Sequence, residues 1–502
     1  MGEGSEPAGL ELVGRAGRSA KRTAVVDELG RFTYERLLAD SRAVAAALLG
    51  GDADLREARV AHLCWPGYRY VTTQWGIWRA GGIAVPLAVS HPEAELRYCV
   101  GHSGASVIVA DPDLVPRVAG IAGTRRPRLI STDQIAVPSV PHRPLPAIGG
   151  GRRAAIFYTS GTTGRPKGAV WTHRTVQAQV ATLTEAWGWS GADRILSVLP
   201  LHHIHGVINV VTTAMWNGAC CEFLRRFDAE ATWQRLISGD ITVFMAVPTI
   251  YVKLIAAWEA AAPDRRRAMS DAVRSLRLMI SGSAALPVDV LERWREISGH
   301  TLLERYGMTE IGIALSNPLS GERVPGSVGR PLAGVDTRLV DEAGAIVPSG
   351  TPGALEVRGP GVFLEYWNDP DATRAAFQDG WFRTGDVAVV EGGTYRILGR
   401  QSVDIIKTGG FKVSALEIED VLLANPDIDE CAVIGLPDPQ WGERVTAAVV
   451  PREGADLTVD VVRDWAAERL APYKVPSRVH FVDALPRNAL GKVVKTDLRG
   501  TL

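Results

Sequence analysis

Cysteine is scarce: five stand in 502 residues (Cys64, Cys99, Cys220, Cys221, Cys431), mostly in apolar surroundings, and none forms a C-x-x-C pair. That argues against a disulfide scaffold or a dithiol redox motif, and favours reduced core thiols in a cytoplasmic protein. A surplus of either charge is also lacking, since 55 Lys and Arg against 56 Asp and Glu leave a net charge of -1. No basic excess suggests nucleic acid, there is no acidic tail, and Arg265-Arg266-Arg267 reads as a solvated helix face. No apolar run approaches a membrane span. The first twenty-odd residues contain Glu3, Glu6 and Glu11 and no apolar signal-peptide core. Arg15, Arg18, Lys21 and Arg22 hint at a mitochondrial presequence, but those acids oppose it. The expected partners are therefore small molecules, with neither nucleic acid nor membrane, and the expected state is a cytoplasmic monomer or homodimer.

A chain of 502 residues exceeds one compact core, so two or more domains are expected. Residues 31–110 alternate helical and strand-like patterns. Thr33 is placed to cap a helix over 34–49, and apolar runs at 60–63, 83–85 and 107–109 read as buried parallel strands. Residues 135–153 are rich in Pro and Gly and read as a linker. A second βα series follows, with a helix expected over 206–216 and strands at 243–247 and 278–280. After residue 320, short strands between Gly, Pro and Asp turns suggest a small β-rich subdomain. From about Arg400 a unit of about a hundred residues alternates strands and helices, enough for a separate small domain. The fold class is α/β: a large region of parallel-sheet subdomains over 1–399, and a small α+β domain over 400–502.

The most informative stretch is 158–168, YTSGTTGRPKG. Its three glycines permit sharp turns and close backbone approach to an anion, while four hydroxyls and two cations supply further donors. Apolar runs flank it, so it reads as a loop between strands. Lys167 precedes Gly168 rather than Ser or Thr, which separates it from the G-x-x-x-x-G-K-[ST] loop. A shorter piece would be only a solvated turn; the whole string resembles the phosphate loop of the adenylate-forming enzymes. These are the acyl-CoA synthetases, luciferases and peptide-synthetase adenylation domains. Later motifs extend the resemblance over nearly the whole chain.

That resemblance implies ATP on Thr159, Ser160, Gly161, Thr162, Thr163, Gly164 and Lys167. In ERYGMTE (304–310) it places Tyr306 beside adenine, Thr309 on phosphate and Glu310 on Mg²⁺, a cation that takes few carboxylates and keeps phosphate and water. The small residues Gly282, Ser283 and Ala284 match the adenine loop. Asp386, in T-G-D, matches the ribose carboxylate; Arg400 in G-R can donate to ribose or phosphate oxygens of the ATP and stands at the hinge, near 400–403, of a mobile C-terminal domain. The usual Asp or Lys two residues later is Ser402 here. Gly409 and Gly410 match the loop that shapes the coenzyme A channel, and Lys492 the adenylation lysine. The three histidines of 199–206 (LPLHHIHG) lack the partners of a metal site. By resemblance His203 gates the substrate carboxylate.

Arg305 bears on the substrate. An arginine beside the acyl pocket is out of place for an apolar tail and suits a second carboxylate, gripped by two hydrogen bonds. The strings around it, with SGSAALP, VFMAVPTIY and SVDIIKTGGFKVSALEIE, resemble malonyl-CoA synthetases, which implies that Arg305 holds the distal carboxylate of malonate and that Lys253 lies near the same pocket. A structural ion pair with Glu304 or another acid remains open. The expected activity is ATP-dependent ligation of malonate or methylmalonate to coenzyme A, releasing AMP and pyrophosphate. Activation of another acid, transfer to another acceptor, or an inactive binding relative are the alternatives; the presence of Lys492, Glu310 and Asp386 speaks against the last.

Overall fold

A computed structural model describes residues 10–121, 127–135, 144–159, 166–487 and 493–502. Thr33 caps the helix Tyr34–Leu49 through a bond from the Arg36 amide, and Thr172 caps His173–Ala186 through the Thr175 amide. Both satisfy an amide that the first helical turn leaves without a backbone partner.

Among the described residues two large sheets organise the N-terminal region. The first runs Arg330–Pro331, Gly312–Ser316, Leu303–Met308, Leu278–Ser281, Val243–Ala246, Arg194–Ser197, Cys220–Phe223, Thr23–Asp27 and Gly30–Thr33. Its middle is parallel, and antiparallel strands close both edges. Val243–Ala246 and Leu278–Ser281 are buried throughout, as parallel strands covered on both faces must be. The second sheet runs Glu365–Tyr366, Lys167–Thr172, Arg153–Thr159, Ile83–Pro86, Arg59–Leu63, Val107–Ala110 and Arg128–Ser131.

The β-rich part expected after residue 320 is an antiparallel sheet built on Asp336–Val340, Gly353–Arg358 and Trp381–Glu391, with Thr394–Arg400 on its edge. A further sheet begins at Ile405–Thr408 and carries its own cores, one around Ile406, Ile418 and Val433 and another around Ile434 and Leu498. The chain is thus α/β, with a large N-terminal domain and a smaller C-terminal one.

The helix expected over 206–216 differs from the sequence reading. His205–Thr212 is a π-helix, and only Thr213–Trp216 is α-helical. Thr212 and Thr213 donate their hydroxyls to the carbonyls of Val207 and Ile208, five residues back, at 2.7 and 3.0 Å. Hydroxyls bonded back onto the carbonyl ladder accompany the wider winding, and such turns concentrate at functional sites.

Candidate active site

The parallel strands Arg194–Ser197, Val243–Ala246 and Leu278–Ser281 end side by side, and ligands in such sheets usually bind beyond the C-terminal ends of the strands. Ser281 leads into Gly282 and Ser283, whose φ of 72° is uncommon for a residue with a Cβ and marks local strain. On the neighbouring strand Leu303–Met308, successive side chains point to opposite faces, which separates Glu304 from Arg305.

The Arg305 guanidinium lies flat against Gly282, so close that a Cβ there would stand 2.6 Å from Arg305 Cζ. Arg305 is only 4% exposed, its Nη2 is 3.5 Å from Ser283 Oγ, and among the described residues its Nε has no partner. Burial alone lowers its pKa to about 10, with no carboxylate contributing, so the group is a desolvated cation at neutral pH. Glu304 turns the other way: it accepts the Leu286 amide at 3.2 Å, and burial raises its pKa to about 8. The Arg305–Glu304 pair that the sequence left open is not formed.

The sequence reading missed His205. Its Nδ1 stands 3.0 Å from Ser283 Oγ, and its buried Nε2 has no partner among the described residues. Burial, and then the charge of Arg305, hold its pKa well below the usual value. His203, the residue expected as a gate, lies instead against His202 with ring centroids 4.1 Å apart, and burial lowers its pKa to about 4. Lys253 is on the exposed side of the helix Pro248–Ala260, its ammonium 6.0 Å from the Phe227 ring centroid. The structure brings Arg305, Gly282, Ser283 and His205 together, with His203 near enough to His205 to add to the lowering of its pKa; Lys253 contacts other neighbours.

The nucleotide residues assemble a few residues farther along the same strand. A tight turn after Gly307 carries Thr309 and Glu310; a Cβ on Gly307 would run into the Gly312 carbonyl. The Trp171 indole donates to the Thr309 carbonyl at 2.9 Å. Tyr306 donates its hydroxyl to Asp386, which Arg400 Nε also contacts at 2.9 Å, and Asp386 and Arg400 face each other across paired strands. Burial is the main cause raising the Tyr306 pKa, so its hydroxyl stays protonated and donates.

Thr159 and Lys167 are register partners at the end of the hairpin Arg153–Thr159 and Lys167–Thr172, so the expected loop between strands is observed at both flanks. Ser160, Gly161, Thr162, Thr163 and Gly164 lie outside the described residues, as does Lys492. The Lys167 ammonium stands 5.0 Å above the Tyr366 ring, and the Tyr366 hydroxyl donates to Glu310 Oε1 at 2.8 Å. Ala284 is exposed beside Ser283.

Glu310 is 5% exposed, and burial raises its pKa. Among the described residues no group of three His, Cys, Asp or Glu could hold a metal ion. A single buried carboxylate in line with Thr309 fits Mg²⁺ bound chiefly through nucleotide phosphates, and does not fit a protein cage.

Between the sheets of the two domains, residues 401–404 form a turn in which the Asp404 amide donates to the Arg400 carbonyl at 2.8 Å. The acid in this turn is Asp404, two residues after Ser402. It accepts the Arg400 amide at 3.0 Å and pairs with Lys495 at 2.6 Å, and Lys495 also pairs with Glu419 at 2.7 Å. Gly409 and Gly410 form the turn between Ile405–Thr408 and Phe411–Ser414, with φ of 55° and 83°. Their glycines therefore answer a local backbone requirement, and Gly409 packs against Trp441. A separate cleft of about 320 Å³, lined by Trp65, Tyr68, Arg69 and Arg225 among others, includes none of the site residues named above.

The assembled groups can hold a nucleotide between Tyr306, Asp386 and Lys167, and present a second anion site at Arg305. Comparison with known proteins agrees in extent. The AMP-binding enzyme family model matches residues 13–367, and that of the AMP-binding enzyme C-terminal domain matches 417–492. The mitochondrial malonate–CoA ligase ACSF3 of Mus musculus is 47% identical over 95% of this chain and 88% of its own. ATP-bound MatB from Rhodopseudomonas palustris superposes with a TM-score of 0.90 at 35% identity, over 98% of this chain and 99% of its own. A malonyl-CoA ligase ternary product complex with methylmalonyl-CoA and AMP gives 0.69 at 36% identity, over 95% of this chain and 100% of its own. No helix among the described residues is long and apolar enough to cross a membrane.

Proposed function

The chain belongs to the AMP-binding enzyme family, and on that premise we propose that it joins malonate, or methylmalonate, to coenzyme A at the expense of ATP. The observation that carries the choice of acid is Arg305: a buried guanidinium with no carboxylate partner among the described residues, beside the strained Gly282-Ser283 loop. A buried charge of this kind is stable only when something neutralises it, and the second carboxylate of a short diacid does so. Ser283, within 3.5 Å of Arg305, and His205, 3.0 Å from Ser283, would add polar atoms toward that carboxylate.

In the first step the other carboxylate attacks the α-phosphorus of ATP. A new O–P bond forms, the bond to the β-phosphate oxygen breaks, and pyrophosphate leaves with an acyl-adenylate remaining. Negative charge grows on phosphate oxygens, so preorganised donors and cations matter more than a base. Lys167 and the 160–164 loop would face the phosphates, Thr309 would donate to them, Asp386 would hold the ribose, and Tyr306 would border the adenine. Mg²⁺ held by Glu310 would neutralise phosphate charge. Lys492, by its place in the family motif, would approach the α-phosphate.

In the second step the coenzyme A thiolate attacks the acyl carbon and AMP departs. Lysine is no longer wanted there, and we place the domain boundary at 399/400 so that rotation about 400–403 can exchange Lys492 for the Gly409-Gly410 turn. The high overlap with an ATP-bound relative and the lower one with a product complex support two arrangements of the domains. The location we propose is cytoplasmic, with a monomer or homodimer as the working unit.

The test is an ATP- and coenzyme A-dependent product assay on malonate, methylmalonate, succinate, acetate, octanoate and an aryl acid, with AMP and acyl-CoA read together by mass. Malonyl-CoA should dominate, with acetate and octanoate near background. AMP without a coenzyme A ester would overturn the acceptor, and dominance of another acid would overturn the substrate.

A further inference from the structure

Tyr366 touches two parts of the nucleotide site at once, and the sequence motifs do not single it out. Its hydroxyl donates to Glu310 Oε1 at 2.8 Å, and its ring face lies 5.0 Å beneath the Lys167 ammonium. Both Tyr366 and Glu310 are buried, at 9% and 5% exposure. The tyrosine has little freedom to leave this position. Glu365 and Tyr366 pair with Val170 and Ala169 on the strand that leaves the phosphate loop. The Tyr366 amide donates to Thr373 Oγ1 at 2.9 Å, and the ring packs edge-on against Phe363 at 4.8 Å. Phe363 in turn donates its amide to the Glu310 carbonyl at 2.7 Å, so this short segment grips Glu310 through backbone and side chain together.

We infer that Tyr366 is a positioning residue for both charges: its hydroxyl orients the Glu310 carboxylate toward the metal of the bound nucleotide, and its ring seats Lys167 where the phosphates arrive. The inference rests on the reading of Glu310 as the metal carboxylate. One oxygen of Glu310 is committed to the hydroxyl, which fixes the plane of the carboxylate and aims the other oxygen. Groups that hold a metal ligand in this way typically contribute about 10- to 100-fold to metal affinity or activity. The ring gives the Lys167 ammonium an electrostatic seat of the cation–π kind. A lysine seated on the ring is also kept off Glu310, so the cation and the carboxylate remain separately available.

The test is equilibrium binding of ATP to the full chain in EDTA and of Mn²⁺–ATP, which reads the gain in affinity that the metal confers without turnover. In Tyr366→Phe the gain should shrink about tenfold while binding of metal-free ATP stays near wild type. In Tyr366→Leu, which also removes the ring, metal-free ATP should bind more weakly as well. Glu310→Gln, measured in parallel, should lose most of the metal gain. If E310Q keeps the full gain, the metal reading of Glu310 and the role of Tyr366 fall together. If E310Q loses it and Y366F does not, the role of Tyr366 alone is overturned. Equal weakening of both forms of ATP in Y366F, accompanied by a lower melting temperature, would mean a structural role and would also overturn the inference.

Discussion

Replacing Arg305 with methionine should lower activity and not lower stability, a combination that few substitutions at buried sites produce. In the wild type, burial alone brings the Arg305 pKa from 12.5 to about 10, a cost of roughly 3 kcal/mol on the charged form. Methionine fills similar volume without a charge, so the substituted protein should melt at or above the wild-type temperature. With malonate the opposite holds, because the distal carboxylate would be buried without its partner. Losing one member of such a pair costs about 2–5 kcal/mol in transition-state binding, or about 30- to 5000-fold in kcat/KM. Acetate, which lacks the second carboxylate, should lose nothing. The assay is steady-state AMP release with each acid, alongside thermal melting of the ligand-free protein. Arg305→Lys should recover part of the malonate rate, since it keeps the charge but not the planar fork. Malonate kcat/KM within twofold of wild type in R305M, or an equal fall for acetate and malonate, would refute the reasoning. A melting temperature lowered by several degrees would show that the arginine has a structural partner after all.

Gly282→Ala would place a Cβ 2.6 Å from Arg305 Cζ. Displacing the guanidinium should cost roughly 1–3 kcal/mol, read as a fall in malonate kcat/KM with the KM for ATP nearly unchanged; a larger effect on ATP would assign Gly282 to the adenine alone. Glu304 gives a pH signature. The unfolded chain releases its proton near pH 4.5 and the folded chain near pH 8, so between these values the folded state binds more protons and loses about 1.4 kcal/mol per pH unit from this group. Glu304→Gln should therefore gain on the wild type as pH rises from 5 to 8 in denaturant titrations, and a pH-independent difference would count against the buried proton. Lys495→Met would strand the carboxylates of Asp404 and Glu419, which Lys495 contacts at 2.6 and 2.7 Å. A loss of about 3–5 kcal/mol is expected, partly recovered by adding Glu419→Gln; a wild-type melting curve for K495M would show that the triad is not a structural tie.

Much of the molecule was legible from residue order because its signals are local. Thr33 before a periodic run caps a helix because the first amides of any helix need an outside acceptor, and the all-apolar runs at 243–247 and 278–280 are strands of a sheet covered on both faces. The pair Gly409-Gly410 announces backbone that turns tightly, and a turn is a property of a few consecutive residues. Asp386 and Arg400 were each identified from motifs, and a β-ladder carries them into contact.

Other relationships depended on packing between distant segments. Glu304 and Arg305 are neighbours in the chain yet never meet, because a strand sends them to opposite faces and only the surrounding layers decide which face holds an acid. Among three histidines within four residues, the π-winding and the Ser283 loop, 78 residues away, bring His205 to Ser283. Tyr366 reaches Glu310 across 56 residues by way of a two-residue edge strand that no local pattern announces. Asp404, two residues after Ser402, is brought by packing to the Arg400 amide at 3.0 Å and to Lys495, 91 residues away, at 2.6 Å. Residue order determines the period, the turns and the chemical groups available. Which charge is left without a partner, and so awaits a ligand, is decided only when sheets and helices pack and water is removed from between them.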